Sequence, residues 1–87
     1  MYFTYVLHSE KDSKLYVGFT QDLVLRIKQH NDGQVLSTKS RRPLKLIYYE
    51  ACIEQWDAVK REKYLKTHYG RLFIYKPLNT YFENQIV

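Results

Sequence analysis

The hydrophobic pattern changes period along the chain. "MYFTYVLHS" (residues 1–9) alternates and is rich in aromatic and β-favouring residues, so it reads as a strand. "EKDS" supplies turn residues, and "KLYVGFT" (residues 14–20) reads as a second strand that completes a β-hairpin. Leu15, Val17 and Phe19 share one face of that strand, and Tyr16, Gly18 and Thr20 share the other. The period then becomes helical. "TQDLVLRIKQHNDG" carries an apolar stripe of Leu23, Val24 and Ile27, an N-cap at Asp22 or Thr20, and a stop at Asn31-Asp32-Gly33. A polar loop, "QVLSTKSRRP", leads into a third strand, "LKLIYYEAC". "EQWDAVKREKYLKTHYG" predicts a long helix ending near Gly70, and "RLFIYK" begins a short helix limited by Pro77. The tail "NTYFENQIV" receives no assignment.

The order β-β-α-β-α-α predicts an α+β domain, a small three-stranded antiparallel sheet flanked by helices. At 87 residues there is room for one modest core, so residues 1–87 are expected to form a single domain. No P-loop or GxGxxG is present, which argues against nucleotide-cofactor folds. No apolar run approaches the roughly 20 residues of a membrane span, and the N-terminus does not resemble a signal peptide. Cys52 is the lone cysteine, so no internal disulfide or Cys-based zinc site can form, and a reducing, cytoplasmic location is expected.

Charge adds a partner to this picture. Lys and Arg number 14 against 9 Asp and Glu, giving a net charge of +5 and a pI near 9.4, which suggests a polyanion. Lys39, Arg41 and Arg42 cluster in the polar loop, with Lys45 just beyond. The nine tyrosines can contact bases or phosphates as well as fill a core.

Four features carry candidate chemistry. If the hairpin turn is centred between Glu10 and Lys11, Tyr5 lies opposite Tyr16 on one face, whereas a one-residue slip separates them. The pair reads either as cross-strand packing or as two hydroxyls aimed at a substrate. Gly18 leaves a gap beside Tyr16, a place where something must approach the backbone closely. Arg26 and His30 lie one turn apart on the flank of the first helix stripe, either solvated or suited to phosphate oxygens. In the second helix Ala58, Val59, Leu65 and Tyr69 form an apolar arc with Glu62 in its middle, while Lys60, Arg61, Lys63 and Lys66 point elsewhere. A carboxylate there needs compensation, from an ion pair with Arg26 or from a metal. His8, Cys52 and His68 lack metal-ligand spacing, and a single carboxylate suits Mg²⁺ better than zinc.

Taken in order, these segments resemble the GIY-YIG nuclease superfamily, specifically its small stand-alone members, over about residues 2–70. "YVG" (16–18) fits the second signature, and "FTY" (3–5) sits at the first, without its glycine and isoleucine. "LRIKQHN" carries the family arginine, Arg26, and a following histidine, His30. "STKSRRPLKLIYYEA" looks like the loop and third strand of the small members, and "KREKYLK" places Glu62 at the metal-binding glutamate. The resemblance implies a metal-dependent endonuclease that hydrolyses DNA phosphodiesters, with one Mg²⁺ or Mn²⁺ on Glu62, and suggests a role in DNA repair or recombination. It implies that Tyr16 activates water, Tyr5 positions it or a phosphate oxygen, Arg26 stabilises charge on phosphorus and His30 assists proton transfer. Gly18, Lys39, Arg41 and Arg42 are the expected substrate contacts, and a protein partner is expected to supply specificity. Phe19 stands where some relatives carry lysine, and Asn79 is near a position where some carry a site asparagine. A non-catalytic nucleic-acid-binding module on the same scaffold is the alternative, and a purely structural or partner-binding domain is a third reading.

Overall fold

The computed structural model describes residues 1–85. Strands β1 (Tyr2–Ser9), β2 (Leu15–Thr20) and β3 (Leu44–Cys52) form an antiparallel sheet in the order β2-β1-β3. Helix α1 (Leu23–Asn31) follows the hairpin, and a short 3-10 turn, Lys39–Arg41, precedes β3. Helices α2 (Gln55–Leu65), α3 (His68–Tyr75) and α4 (Asn79–Asn84) complete the described residues. The α+β class and the element order match the expectation from sequence. The unassigned tail contributes α4, while Ile86 and Val87 lie outside the described residues. No described helix is long and apolar enough to cross a membrane.

β1 is the central strand, and both of its faces are covered. Every residue from Thr4 to Ser9 is therefore buried, despite the alternating pattern. On one face Val6 and Val17 pack with Leu65 of α2, Ile74 of α3 and Phe82 of α4. On the other, Tyr5, Leu7 and Leu44 pack with Tyr16 and with Leu23 and Ile27 of α1. Thr4 ties the central strand to α2, its hydroxyl donating to the Ala58 carbonyl at 2.7 Å.

The hairpin register differs from the expected one by two residues. Tyr5 pairs with Gly18, and Tyr16 pairs with Leu7. The cause is a longer turn. The Ser9 hydroxyl accepts the Lys11 and Asp12 N–H groups, the Asp12 carboxylate accepts the Lys14 N–H at 2.9 Å, and Ser13 adopts a left-handed φ of 61°. These bonds move the turn centre one residue along. An even slip keeps every side chain on its face, so Tyr5 and Tyr16 still share one.

The expected long helix also divides. α2 ends at Leu65, and Thr67 caps α3, its hydroxyl accepting the Gly70 N–H at 3.1 Å. Gly70 therefore lies inside α3 rather than at a helix end. A Cβ there would sit 2.0 Å from the Tyr64 carbonyl oxygen and 2.6 Å from Leu65 Cα, so the glycine permits α3 to fold tightly against the end of α2. Past the break, Tyr69 leaves the apolar arc and is exposed, as is Val24 on α1.

Arg61 was expected to point away from the core. Instead it reaches the sheet, donating from Nε and Nη2 to the two oxygens of Glu50 at 2.8 and 3.0 Å. Tyr48 donates to the same carboxylate at 2.8 Å, and the guanidinium lies 4.4 Å from the Phe73 ring centroid. The paired geometry and the ring beneath it favour Arg over Lys at this position.

Candidate active site

The site is assembled between β1, β2 and α1. Asp22 caps α1 as expected, its carboxylate accepting the Leu25 N–H at 3.0 Å. Leu23 and Ile27 pack onto the Tyr5 face, and His30, one turn beyond Ile27, follows them down to complete burial. Its Nε2 lies 2.7 Å from the Tyr5 hydroxyl. The half-buried Tyr16 ring is 5.1 Å from the His30 ring and 6.4 Å from the Tyr5 ring, centroid to centroid. Three of the expected site residues thus come together, although Tyr5 and Tyr16 meet diagonally across the register.

Gly18 has a different use from the one expected. A Cβ at that position would lie 2.4 Å from both Cζ and the hydroxyl oxygen of Tyr5. The space left by the missing side chain is filled by the Tyr5 ring, not left open for a phosphate.

The charges around the Tyr5 hydroxyl identify the remaining members. Burial raises the Tyr5 pKa; the Arg26 guanidinium opposes that, while Tyr16 and the Glu62 carboxylate add to it. His30 is pushed down to about 4, first by burial and then by the Arg26 charge. At neutral pH its imidazole is uncharged, so one ring nitrogen donates and the other accepts. The second nitrogen, Nδ1, lies 2.7 Å from the hydroxyl of Thr38, itself fully buried. Sequence reasoning missed Thr38, because a threonine in a polar, aperiodic loop carries no signal that sets it apart.

Glu62 is not stranded in the core. Its side chain is 21% exposed and pairs with Lys66 Nζ at 3.2 Å, one turn along α2. Lys66 therefore turns towards Glu62 rather than away. Among the described residues there is no Arg26–Glu62 ion pair; Arg26 donates to the Gln29 side chain at 3.2 Å. Nor do three or more His, Cys, Asp or Glu residues converge on one point among the described residues. The available donor is one carboxylate at the rim. That suits a hard ion which keeps most of its waters, Mg²⁺ or Mn²⁺, and does not suit a structural zinc.

The loop cations divide by use. Arg41 donates to Asp12 at 2.7 Å and to the Leu15 carbonyl at 3.3 Å, binding the hairpin turn to the loop. Its guanidinium holds the Asp12 carboxyl well below the usual carboxylate range. Arg42 donates from Nε to the Lys39 carbonyl at 2.9 Å and passes over Gly33, where a Cβ would lie 2.7 Å from Nη1. Lys39 and Arg42, with Ser40, Asn31 and the unanticipated Lys11, line an open groove of about 1020 Å³. No ion pair among the described residues engages Lys11, Lys39 or Arg42. Asn79 lies on α4 and donates to Glu83 at 3.1 Å; α4 packs on the opposite face of the sheet from Tyr5.

The centre of the candidate site is a buried tyrosine–histidine pair with a second tyrosine beside it, carried on a three-stranded α+β catalytic-domain fold. The GIY-YIG catalytic domain family matches residues 1–79, and the chain belongs to it. Similar proteins include a UPF0213 protein of Staphylococcus saprophyticus, 45% identical over 58 residues (66% of this chain, 71% of that protein). Another is a UPF0213 protein of Clostridium perfringens, 42% identical over 67 residues (76% and 71%). The solution NMR structure of a UPF0213 protein from Bacillus halodurans superposes with a TM-score of 0.53 at 27% identity, covering 85% of this chain and 82% of that one.

Proposed function

We propose that this protein is a divalent-metal-dependent endonuclease that hydrolyses phosphodiester bonds in DNA. The observation that carries the reading is the Tyr5 hydroxyl, which is bonded to His30 and lies within the fields of Arg26, Tyr16 and Glu62. Tyr16 is the group that activates the attacking water. Tyr5 is held by His30 and orients the water or a phosphate oxygen. Arg26, at the border of the core, stabilises the charge that builds on the phosphate oxygens. His30, neutral at pH 7, takes part in proton transfer through a hydrogen bond rather than as an imidazolium. Glu62 would hold one Mg²⁺ or Mn²⁺, exchanging its bond to Lys66; when bound, the ion supplies Lewis-acid stabilisation at the phosphate.

The groove of Lys11, Lys39, Ser40 and Arg42 is the path for the flanking DNA backbone, and Arg41 keeps its walls in place. So small a protein has little surface for reading sequence, which favours recognition of DNA structure or specificity from a protein partner, as in repair or recombination inside the cell.

The test is cleavage of supercoiled and branched DNA with Mg²⁺ or Mn²⁺. Tyr16→Phe and Glu62→Ala are each expected to lower cleavage about 100-fold or more. Undiminished cleavage in both variants would overturn the proposal. Salt-sensitive DNA binding without metal-dependent cleavage by the wild type would assign the protein to non-catalytic binding instead.

A further inference from the structure

We infer that Thr38 is a positioning residue that fixes the His30 tautomer, so that Nε2 accepts the Tyr5 hydroxyl proton; its bearing on catalysis rests on the function proposed above. Both contacts of the imidazole are short, 2.7 Å to Tyr5 and 2.7 Å to Thr38, and all three side chains are almost completely buried. Water cannot satisfy either nitrogen there, so the two hydroxyls must divide the roles of donor and acceptor between them.

The direction follows from what surrounds the two ends. A threonine hydroxyl has one proton. That proton has an acceptor at the Val35 carbonyl, 3.5 Å away. Giving it to Val35 leaves the Thr38 oxygen as acceptor, so His30 Nδ1 carries the ring proton and donates to it. Nε2 is then bare and accepts from Tyr5. At the far end the Tyr5 hydroxyl has one hydrogen-bond partner among the described residues, His30 Nε2, so its proton is satisfied only by pointing to that nitrogen. Four groups thus align in one direction: Tyr5 to His30 to Thr38 to the Val35 carbonyl. With the opposite tautomer, His30 Nε2–H would point at the Tyr5 oxygen, and the buried Tyr5 proton would have no acceptor among the described residues.

The alignment matters to the reaction because it leaves the Tyr5 oxygen lone pairs free to accept a hydrogen bond from an incoming donor. Reversing the tautomer would replace that acceptor with a competing O–H donor.

The test is imidazole ¹⁵N NMR of the free, folded protein, which reports the tautomer directly and needs no substrate. The wild type is expected to show a protonated Nδ1 and an unprotonated Nε2 on His30. Thr38→Ser is expected to retain that pattern. Thr38→Val, which keeps the shape and removes the hydroxyl, is expected to lose it, giving the Nε2–H form or a mixture. A wild-type spectrum with Nε2–H, or an unchanged Nδ1–H form in Thr38→Val, would overturn the inference. The wild-type spectrum decides even where Thr38→Val does not fold. In cleavage assays Thr38→Val is expected to lower kcat about tenfold or more with KM little changed, and Thr38→Ser to restore most of it. The expected spectra from a wild type that never cleaves DNA would sink the function and leave the tautomer assignment standing.

Discussion

On the α2–α4 face of the sheet the buried groups are mainly apolar, Val6, Val17, Ala58, Leu65 and Ile74; Thr4 and His8 add hydrogen bonds to the Ala58 carbonyl and the Tyr81 hydroxyl, and the Glu50 carboxylate oxygens are matched to Arg61 donors. On the α1 face the buried groups include Tyr5, His30 and Thr38, each requiring a hydrogen-bond partner. Alternate residues of one strand supply both faces, so the contrast is between a core that is mainly apolar, with hydrogen bonds at its margins, and one whose centre is a chain of polar side chains matched one to one. The first face is expected to tolerate exchange of apolar groups of similar volume, and the second to depend on where each proton sits.

The sharpest way to separate the two is to truncate the apolar face. Leu65→Ala and Ile74→Ala are each expected to cost about 2–5 kcal/mol of stability in urea unfolding, by lost transfer energy and a cavity. Cleavage per folded molecule should change far less than it does in Tyr16→Phe.

Acid acts on the other face. The folded His30 value of about 4 lies below the ordinary imidazole value of 6.5, so the unfolded chain takes up the proton first. Its contribution is complete above about pH 6.5, is lost as pH falls towards about 4, and changes no further below that; the span is about 3 kcal/mol. Urea midpoints measured at pH 7, 5.5 and 4 should show this slope in the wild type, and a flatter one in His30→Gln. Equal slopes would remove His30 from the acid response.

The glycines give a finer contrast. Gly70→Ala meets backbone atoms of α2 and Gly18→Ala meets the far end of the Tyr5 ring, each expected to cost about 1–3 kcal/mol. The larger loss of stability should fall on Gly70→Ala. The loss of the Tyr5–His30 hydrogen bond should fall on Gly18→Ala, seen as a change in the His30 nitrogen shifts. Tyr5→Phe is the mildest for stability, about 1 kcal/mol, while leaving His30 without its partner. A Tyr5→Phe protein as unstable as Leu65→Ala would show that the polar face also carries the fold.

The order of elements and the candidate site residues were legible because they depend on local pattern, and the structure brings Tyr5, Tyr16 and His30 together. Alternation marked the hairpin, the Asp22 cap and the Leu23–Ile27 spacing marked α1, and signature spacing singled out Tyr5, Tyr16, Arg26, His30 and Glu62. What escaped notice depends on how distant segments meet. The register rests on Ser9 and Asp12 accepting turn N–H groups, which the pattern of apolar residues does not encode. The break after Leu65 was hidden because Tyr69 continues the helical arc, although Thr67 is a good cap. Arg61 and Glu50 are individually ordinary charges until α2 is laid on β3. Thr38 gains its role only when the loop after α1 folds back beneath His30.

The bond from the Thr4 hydroxyl to the Ala58 carbonyl sets the spacing of the site itself. Thr4 and Tyr5 are joined by one peptide unit, and Ala58 lies one helical turn before Glu62. The Glu62 carboxylate and the Tyr5 phenol are therefore gauged from the same stretch of backbone, through one hydrogen bond on one side and one ring on the other. A twist or breathing motion of the sheet carries both with it. The relative placement of Glu62 and Tyr5 thus runs through Thr4, a residue that touches neither, and removing its hydroxyl is expected to loosen the coupling of α2 to the central strand.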